Sequence, residues 1–235
     1  MYETKCVDCM KAMKELDDGS VDLIVTDPPY EFSHLGGGCF GNQHREYHGE
    51  LKDITSGIKN DVLEEMLRVM KRPNAYIWCN KAQIRQYLDF FEDAGCTSDI
   101  LMWHKSNPIP LGNNTYLPDT EYCLYFRKGA TLYGDYHTKS KYWITPVNKE
   151  DKERYGHPTI KPLDIIETLV RNSSLEGDLV LDPYMGSGTT GVACVKNGRR
   201  FIGYDIEQTY VDTANERMCR AMAQKASQRG LGDWL

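Results

Sequence analysis

The sequence contains no long apolar run. Its 235 residues are 40% hydrophobic and 26% charged, the composition of a globular chain that can bury a core. Apolar stretches such as 21–25 are too short to cross a bilayer. The first residues, 1–5, lack the apolar segment of a signal peptide, so we expect a cytoplasmic location. Repeats and low-complexity tracts are also absent, which indicates one generous domain or one domain with a short insertion.

Positive charge is in short supply. Lysine and arginine total 28 against 34 aspartates and glutamates, which gives a net charge of −6. Proteins that bind nucleic acid usually carry a basic patch. A role of that kind would therefore require basic residues to be concentrated locally.

Regularly spaced metal ligands are missing as well. Of the eight cysteines, only Cys6 and Cys9 form a C-x-x-C pair. A zinc site would need a second close pair of ligands. Cys39 with His44 and His48 could supply them, but that spacing matches no common zinc site. We therefore expect no metal and reduced, mostly buried thiols.

Short strand patterns and helical patterns alternate along the chain. Strands are predicted at 21–26, 75–79, 100–103, 122–126, 179–181 and 200–204, and helices at 58–69, 84–91, 162–170, 189–196 and 208–222. This alternation is typical of an α/β fold with a mostly parallel sheet covered on both faces. The segments 100–103 and 122–126 are joined by an Asn-, Pro- and Gly-rich loop, which predicts an antiparallel hairpin. Residues 223–235 are expected to form a frayed tail.

A glycine-rich turn lies late in the chain. Residues 186–191 read Gly-Ser-Gly-Thr-Thr-Gly, after a predicted strand and before a helix, and Asp205 ends the next strand. Such a turn lets the backbone approach a ligand, and the acid can accept hydrogen bonds from ribose hydroxyls. The pattern therefore predicts a cofactor that carries a nucleoside, although a tight turn with a solvated Asp is the simpler alternative.

The neighbouring residues narrow the choice of cofactor. The Gly-Lys-Ser/Thr of a phosphate-binding P-loop is absent. NAD is harder to exclude on the loop alone, but we expect too few residues after Gly191 for a dinucleotide half-domain. Asp182, at the tip of the preceding strand, would repel a pyrophosphate. It would suit a cationic group, such as the amino or sulfonium group of S-adenosylmethionine.

A second motif, Asp27-Pro28-Pro29-Tyr30, follows the predicted strand 21–26. It therefore lies at the carboxyl end of a strand, where open α/β sheets place their ligands. The two prolines stiffen the backbone. Taken alone, the tetrapeptide could equally be a rigid turn.

Together these motifs resemble those of the DNA amino-methyltransferases, which modify exocyclic nitrogens. Residues 27–30 resemble the catalytic motif, 182–190 the cofactor loop, and 157–162 (His-Pro-Thr-Ile-Lys-Pro) the motif that opens the preceding helix. Their order is similar to that of the beta group, and the resemblance covers roughly Lys5 to Met222. It implies a circularly permuted, Rossmann-like fold of S-adenosylmethionine-dependent methyltransferases, with the antiparallel hairpin at one edge of the sheet. Residues 1–222 would form the single domain.

The resemblance implies a catalytic role for residues 27–30. Asp27 and the carbonyl of Pro28, in a backbone stiffened by Pro29, would accept hydrogen bonds from the amino group. The lone pair of that nitrogen is delocalised into the ring, and two acceptors would free it for direct in-line attack on the methyl group. Tyr30 would stack on the target base, which must be flipped out of the duplex. The Pro-Cys dipeptide required for carbon-5 cytosine methylation is absent.

The resemblance also implies a cofactor site. Asp182 would face the methionine end, together with the backbone of Gly186, Ser187, Gly188 and Thr189. Asp205 would hold the ribose hydroxyls, and Asp8 would contact the adenine amine. Lys161 would pair with the cofactor's carboxylate, although a solvated lysine in the first turn of a helix is an alternative.

The segment 127–157 is where the family places its target-recognition region. It contains seven Lys and Arg residues against four Asp and Glu residues, interspersed with aromatic residues. We therefore expect a small target-recognition insertion here, with Lys139 and Lys141 binding DNA. An ordinary solvated loop remains the alternative.

These expectations converge on a site-specific enzyme that methylates N6 of adenine in double-stranded DNA. Asp at the first motif position favours adenine, and cytosine N4 is the first alternative. A nicotinamide-dependent oxidoreductase, a catalytically silent DNA-binding module and an RNA substrate are further alternatives. Enzymes of this family act in restriction–modification, and some form homodimers, but the sequence compels neither. The hypothesis requires that Asp27 and Gly186, far apart in sequence, line the same pocket.

Overall fold

A computed structural model of the chain describes residues 1–31, 57–108, 116–147, 150, 155 and 160–232. Its strands are β1 (Tyr2–Cys6), β2 (Leu23–Thr26), β3 (Asn74–Cys79), β4 (Thr97–Lys105), β5 (Thr120–Arg127), β6 (Tyr142–Thr145), β7 (Leu179–Asp182) and β8 (Arg200–Asp205). Its helices are α1 (Cys9–Met13), α2 (Asn60–Val69), α3 (Ile84–Asp93), α4 (Leu163–Ser173), α5 (Thr189–Lys196) and α6 (Gln208–Gly232). Within these ranges the strands form one sheet of order β1-β8-β7-β2-β3-β5-β4-β6.

The centre of the sheet is parallel, as the sequence predicts. β2 pairs in parallel with β3 on one side and with β7 on the other, and β8 and β1 continue the parallel arrangement. All four residues of β2 and all six of β3 are buried. Both faces of these strands are covered, which is why they consist of nearly continuous apolar runs.

The predicted antiparallel pair is also confirmed. β5 pairs in antiparallel fashion with both β3 and β4. Two strands were not foreseen, β1 and β6. β1 forms one edge of the sheet beside β8, and the other edge is formed by β6, which lies outside β4 and pairs with it in parallel. β6 has only four residues, alternately exposed and half-buried, so its sequence gives little strand signal. Part of the segment expected to form a target-recognition insertion is therefore built into the main sheet.

Helices cover both faces of the sheet. α4, α5 and α6 pack on the face that carries Val25, Tyr76 and Trp78. α1, α2 and α3 pack on the opposite face, over Ile24 and Ile77. The last helix continues past the predicted end at Met222 as far as Gly232. No helix in the described ranges is both long enough and apolar enough to span a membrane.

The described cysteines are all unpaired thiols. Cys39, His44 and His48, which were considered as zinc ligands, lie outside the described residues. Among the residues that are described, no cluster of His, Cys, Asp or Glu could hold a metal ion.

A buried amide joins the amino ends of the central strands. The side-chain nitrogen of Asn74 donates to the carbonyls of Asp22 and Ser173, at 2.9 Å each. Its side-chain oxygen accepts from the hydroxyl of Tyr125 at 3.1 Å, and that ring is stacked on Tyr76 with centroids 4.2 Å apart. One side chain thus connects β3 and β5 to the residue before β2 and to the end of α4.

Replacing this amide should destabilise the fold. We expect Asn74→Ala to lower the free energy of unfolding by about 2–4 kcal/mol, because it leaves buried polar groups without partners. Urea denaturation measures the change. The control Asn60→Ala alters an exposed asparagine at the start of α2 and should cost less than about 1 kcal/mol. Equal losses for the two variants would contradict the role assigned to Asn74.

Candidate active site

A pocket opens at the carboxyl ends of β2 and β7, which are neighbours in the sheet. From β2 the chain continues through α2 to β3 on one side, and from β7 through α5 to β8 on the other. Ligands of open α/β sheets bind at such reversals of strand order. Both Asp27 and Gly186 line this pocket, whose volume is about 410 Å³ including its opening to solvent. The expectation that these distant residues converge is confirmed.

Asp27 enters the pocket directly after β2. One carboxylate oxygen, Oδ2, accepts a hydrogen bond from Nζ of Lys161. The other oxygen, Oδ1, is buried and has no hydrogen-bond partner among the described residues. Burial raises the pKa of the Asp27 carboxyl, and the Lys161 ammonium opposes that shift. Asp27 thus presents one unused acceptor to the pocket.

Lys161 is buried between two carboxylates. Besides Asp27, its Nζ lies 3.1 Å from Oε2 of Glu121. It also lies 5.4 Å from the ring centroid of Tyr30 and 5.2 Å from that of Trp78. Burial alone would lower the pKa of the Lys161 ammonium, but the two carboxylates raise it overall, so the group stays charged. In the structure its partners are the protein's own carboxylates, and its predicted contact with a cofactor stays a prediction.

Glu121 is a member of the site that sequence reasoning missed. Its Oε1 lies 2.6 Å from Nζ of Lys105, and its Oε2 accepts from the Tyr30 hydroxyl at 3.2 Å. Burial would raise the pKa of the Glu121 carboxyl, but Lys161 and Lys105 lower it to about 2. The carboxylate is therefore ionised, and it holds the hydroxyl of Tyr30.

The prolines of the tetrapeptide are anchored as well. Pro28 is buried, and the carbonyl of Pro29 accepts from Nε2 of Gln83 at 3.0 Å. Gln83 is itself fully buried and also bonds to the hydroxyl of Tyr87. This contact holds residues 27–30 against the start of α3.

The glycine-rich turn is held from both sides. The N–H of Gly186 donates to Oδ2 of Asp205 at 3.0 Å, so the two predicted cofactor residues contact each other. Gly188 has a positive φ of 81°, and a Cβ there would lie 2.6 Å from Cβ of Ala214. A side chain at Gly188 would therefore push α6 away from the turn.

Arg217, on α6, is a second residue that sequence reasoning missed. Its guanidinium donates to the carbonyl of Ser187 at 2.6 Å and to the hydroxyl of Thr189 at 3.2 Å. The same group lies 4.3 Å from the ring centroid of Tyr155. The last helix thereby fixes two of the three hydroxyl-bearing residues of the turn, Ser187 and Thr189.

Asp182 lies at the floor of the pocket. It accepts hydrogen bonds from the hydroxyl of Thr26 at 2.8 Å and from the N–H of Tyr184 at 3.1 Å. Burial raises the pKa of its carboxyl to about 7, because these hydrogen bonds only partly offset the loss of water.

Eight predicted residues are not among those that line the pocket: Asp8, Pro28, Pro29, Tyr30, Lys139, Lys141, Gly188 and Asp205. Asp8 is an exposed N-cap of α1 and accepts from the N–H of Lys11. Lys141 forms an ion pair with Asp99, and Lys139 lies in an exposed turn. Asp99 precedes Lys105 by six residues on β4, about 20 Å along a strand. The cofactor contact of Asp8 and the DNA contacts of both lysines stay predictions.

The amino-acid sequence of the chain is similar to those of known proteins. A family model described as DNA methylase matches residues 21–216. The type II methyltransferase M2.LlaDCHI of Lactococcus lactis subsp. cremoris is 30% identical over 233 residues, which cover 90% of this chain and 87% of that protein. M.HpaI of Haemophilus parainfluenzae is 30% identical over 236 residues, covering 91% and 73%.

Solved structures give the same result. The crystal structure of the M1.HpyAVI–SAM complex is 27% identical with a TM-score of 0.70, and the match covers 93% of this chain and all of that one. The PvuII cytosine-N4-specific DNA methyltransferase has the same TM-score of 0.70 at 14% identity, over 95% and 92% of the two chains. At that identity the likeness shows the fold alone.

The raised pKa of Asp182 predicts a pH-dependent stability. The unfolded carboxyl ionises near its ordinary value of 3.8, whereas the folded one ionises near 7. The stability contributed by the neutral form is complete below about pH 4 and is lost as the pH rises through 7. We expect Asp182→Asn to match the wild type at pH 4 and to exceed it at pH 8, by about 4 kcal/mol at most.

Urea denaturation across this pH range measures the difference. The control Asp178→Asn alters a less buried carboxyl just before the same strand and should show no comparable gain at pH 8. If Asp182→Asn is less stable than the wild type at pH 8, the prediction is contradicted, because the charged carboxylate of Asp182 would then stabilise the folded protein.

Proposed function

The chain belongs to the DNA methylase family, and from that premise we propose that it transfers the methyl group of S-adenosylmethionine to N6 of adenine in double-stranded DNA. The observation that carries the proposal is the free Oδ1 of Asp27. It is a buried acceptor in the pocket that the glycine-rich turn also lines. A buried acceptor without a partner costs about 1–3 kcal/mol, and an amino group that donates to it recovers that cost.

The pocket has the features that the cofactor would require. Asp182 offers a buried carboxylate for a cationic group, and the residues that line the pocket include Gly186, Ser187 and Thr189. Asp205, which already accepts from the N–H of Gly186 in the turn, would accept from the ribose hydroxyls. When bound, S-adenosylmethionine supplies an electrophilic methyl group on a sulfonium centre. The structures similar to this chain include that of M1.HpyAVI, which is described as a SAM complex.

The catalytic step follows from the way Asp27 is held. Lys161 occupies Oδ2 and stabilises the ionised carboxylate, so Oδ1 is left as the acceptor for one amino hydrogen. Positive charge develops on the amino nitrogen as it forms the new bond to carbon. A fixed carboxylate in a site that excludes water stabilises that charge more strongly than water does. The proton that the nitrogen then loses is directed towards Asp27.

The target base would be held over the same group. The Tyr30 ring stands beside Asp27, and its hydroxyl is bonded to Glu121, which restricts its rotation. Base–aromatic stacking contributes about 1–3 kcal/mol per base and offsets part of the cost of flipping the nucleotide out. The assignment to adenine rests on Asp as the first residue of the tetrapeptide. The curated relatives are named type II methyltransferases, and we extend that class to this chain.

Analysis of the nucleosides from treated DNA tests the reaction. The purified protein with S-adenosylmethionine should convert deoxyadenosine to N6-methyldeoxyadenosine, detected by mass spectrometry. An N4-methyldeoxycytidine product alone would overturn the choice of adenine. Binding of NAD but not of S-adenosylmethionine in a calorimetric titration would overturn the proposed activity as a whole.

Loss of the Asp27 carboxylate should abolish turnover and spare cofactor binding. We expect Asp27→Ala to lower kcat at least about 100-fold, because the stabilised charge develops only during transfer. Calorimetry should show S-adenosylmethionine affinity within a few fold of the wild type.

A matched control lies at the other end of the same strand. Asp22 has a side-chain exposure of 18%, close to the 22% of Asp27, and pairs with Lys71. Asp22→Ala should lose stability but keep kcat near the wild-type value. Near-full methyl transfer by Asp27→Ala would sink the mechanism.

A further inference from the structure

The pocket contains a second buried atom without a partner. Trp78 is fully buried and lines the pocket, and its indole Nε1 has no hydrogen-bond partner among the described residues. An indole N–H is a donor only. Two residues that line the pocket therefore each have one unused hydrogen-bonding atom, the donor Nε1 of Trp78 and the acceptor Oδ1 of Asp27.

The sheet places these two residues side by side. Thr26 of β2 is paired with Ile77 of β3, so the next residues along the two strands are Asp27 and Trp78. Trp78 lies on the same buried face of the sheet as Val25. Side chains two residues apart along a strand point to the same face, so Asp27, two residues after Val25, is expected on that face as well. Lys161 spans the pair, since its Nζ is bonded to Asp27 and lies 5.2 Å from the ring centroid of Trp78.

A neighbouring tryptophan shows that the free donor is not a general feature of this face. Trp103 packs edge-on against Trp78, with ring centroids 6.5 Å apart. Its Nε1 donates to the hydroxyl of Thr145 at 2.8 Å. Leaving a buried donor unpaired costs about 1–3 kcal/mol, so the unpaired N–H of Trp78 indicates a partner that arrives with a ligand.

We propose that the Trp78 indole N–H donates to the ring nitrogen beside the reacting amino group, N1 of adenine, while Oδ1 of Asp27 accepts from that amino group. This inference rests on the function proposed above. Asp27 and Trp78 would then recognise a base that carries an amino donor next to a ring-nitrogen acceptor. Adenine has this pattern at N6 and N1, and cytosine has it at N4 and N3. Guanine and thymine present the reverse pattern at these positions, an oxygen acceptor next to an N–H donor. Trp78 and Asp27 together would therefore admit amino bases and reject oxo bases.

Analogues of the target adenine isolate this contact. 1-Deazaadenine lacks N1, whereas 7-deazaadenine lacks N7 and keeps the Watson–Crick edge. The experiment measures kcat/KM of the wild type and of Trp78→Phe on three duplexes that differ only at the target base. Trp78→Phe should lower kcat/KM on adenine about tenfold, equivalent to about 1.4 kcal/mol. On 1-deazaadenine the two proteins should differ by less than about threefold, because the hydrogen bond is already absent.

For each duplex, kcat/KM of Trp78→Phe is divided by that of the wild type. This ratio cancels the intrinsic reactivity of the analogue. On 7-deazaadenine, Trp78→Phe should again lose about tenfold, as on adenine. Equal losses on all three duplexes would overturn the inference, since they would indicate packing or a donor other than Trp78, such as Lys161. A loss that disappears only with 7-deazaadenine would overturn the assignment to N1.

The control variant is Trp103→Phe, which removes an indole N–H that already has a protein partner. It should show the same ratios between duplexes as the wild type. S-adenosylmethionine affinity of Trp78→Phe should stay within a few fold of the wild type, and a selective loss of that affinity would contradict the inference. An arm without variants guards against misfolding: with each analogue placed opposite an abasic site, so that no base pair has to be broken, the wild type should bind 1-deazaadenine more weakly than 7-deazaadenine, and the opposite order would overturn the inference.

Failure of the inference and failure of the proposed function give different results. If the wild type does not methylate the adenine duplex at all, the proposed function fails. If it does, and Trp78→Phe does not distinguish the analogues, only the role of Trp78 fails.

Discussion

The site depends on one buried group of charges at the carboxyl edge of the sheet. Two carboxylates, Asp27 and Glu121, share the ammonium of Lys161, and Lys105 supplies the second positive charge. Each of these charges would be costly to bury alone. Together they are balanced, and they connect the loop after β2, the start of β5, the end of β4 and the segment before α4. The geometry of the acceptor on Asp27 follows from this arrangement, because Lys161 takes one oxygen and leaves the other.

The remaining contacts keep the two halves of the pocket in fixed positions. On one side, Gln83 holds the carbonyl of Pro29. On the other, Arg217 holds Ser187 and Thr189, and Asp205 holds Gly186. All of these contacts lie on the side of the sheet where β2 and β7 end. The buried amide of Asn74 does the same for the opposite end of the strands. The sheet is thus tied at both ends, and at the carboxyl end Oδ1 of Asp27 and Nε1 of Trp78 have no partner among the described residues.

Sequence reasoning predicted the parts of this site that are local in the chain. Asp27 and the turn at Gly186 each follow a short apolar strand, so the strand rule alone brings them to one edge. Glu121 could not be found in that way, because its role depends on the antiparallel register of β5 with β3 and on a lysine 40 residues later in the chain. Trp78 has the pattern of an ordinary core residue, and its free N–H exists only in three dimensions. β6 was missed because four alternating residues carry little signal.

The balance of charge also explains how one pocket can serve two unlike ligands. On the proposed function, the base would lie beside Asp27, where Lys161 and Lys105 balance the two carboxylates, and recognition would depend on Oδ1 of Asp27 and the indole of Trp78. At the turn side, Asp182 has no cationic partner within the described ranges, and its pKa near 7 is the consequence of that isolation. A cation bound there would lower this pKa and ionise the carboxyl. Positive charge is therefore favoured beside Asp182, while the neutral face of a base is favoured beside Asp27, and the two sites lie on adjacent strands.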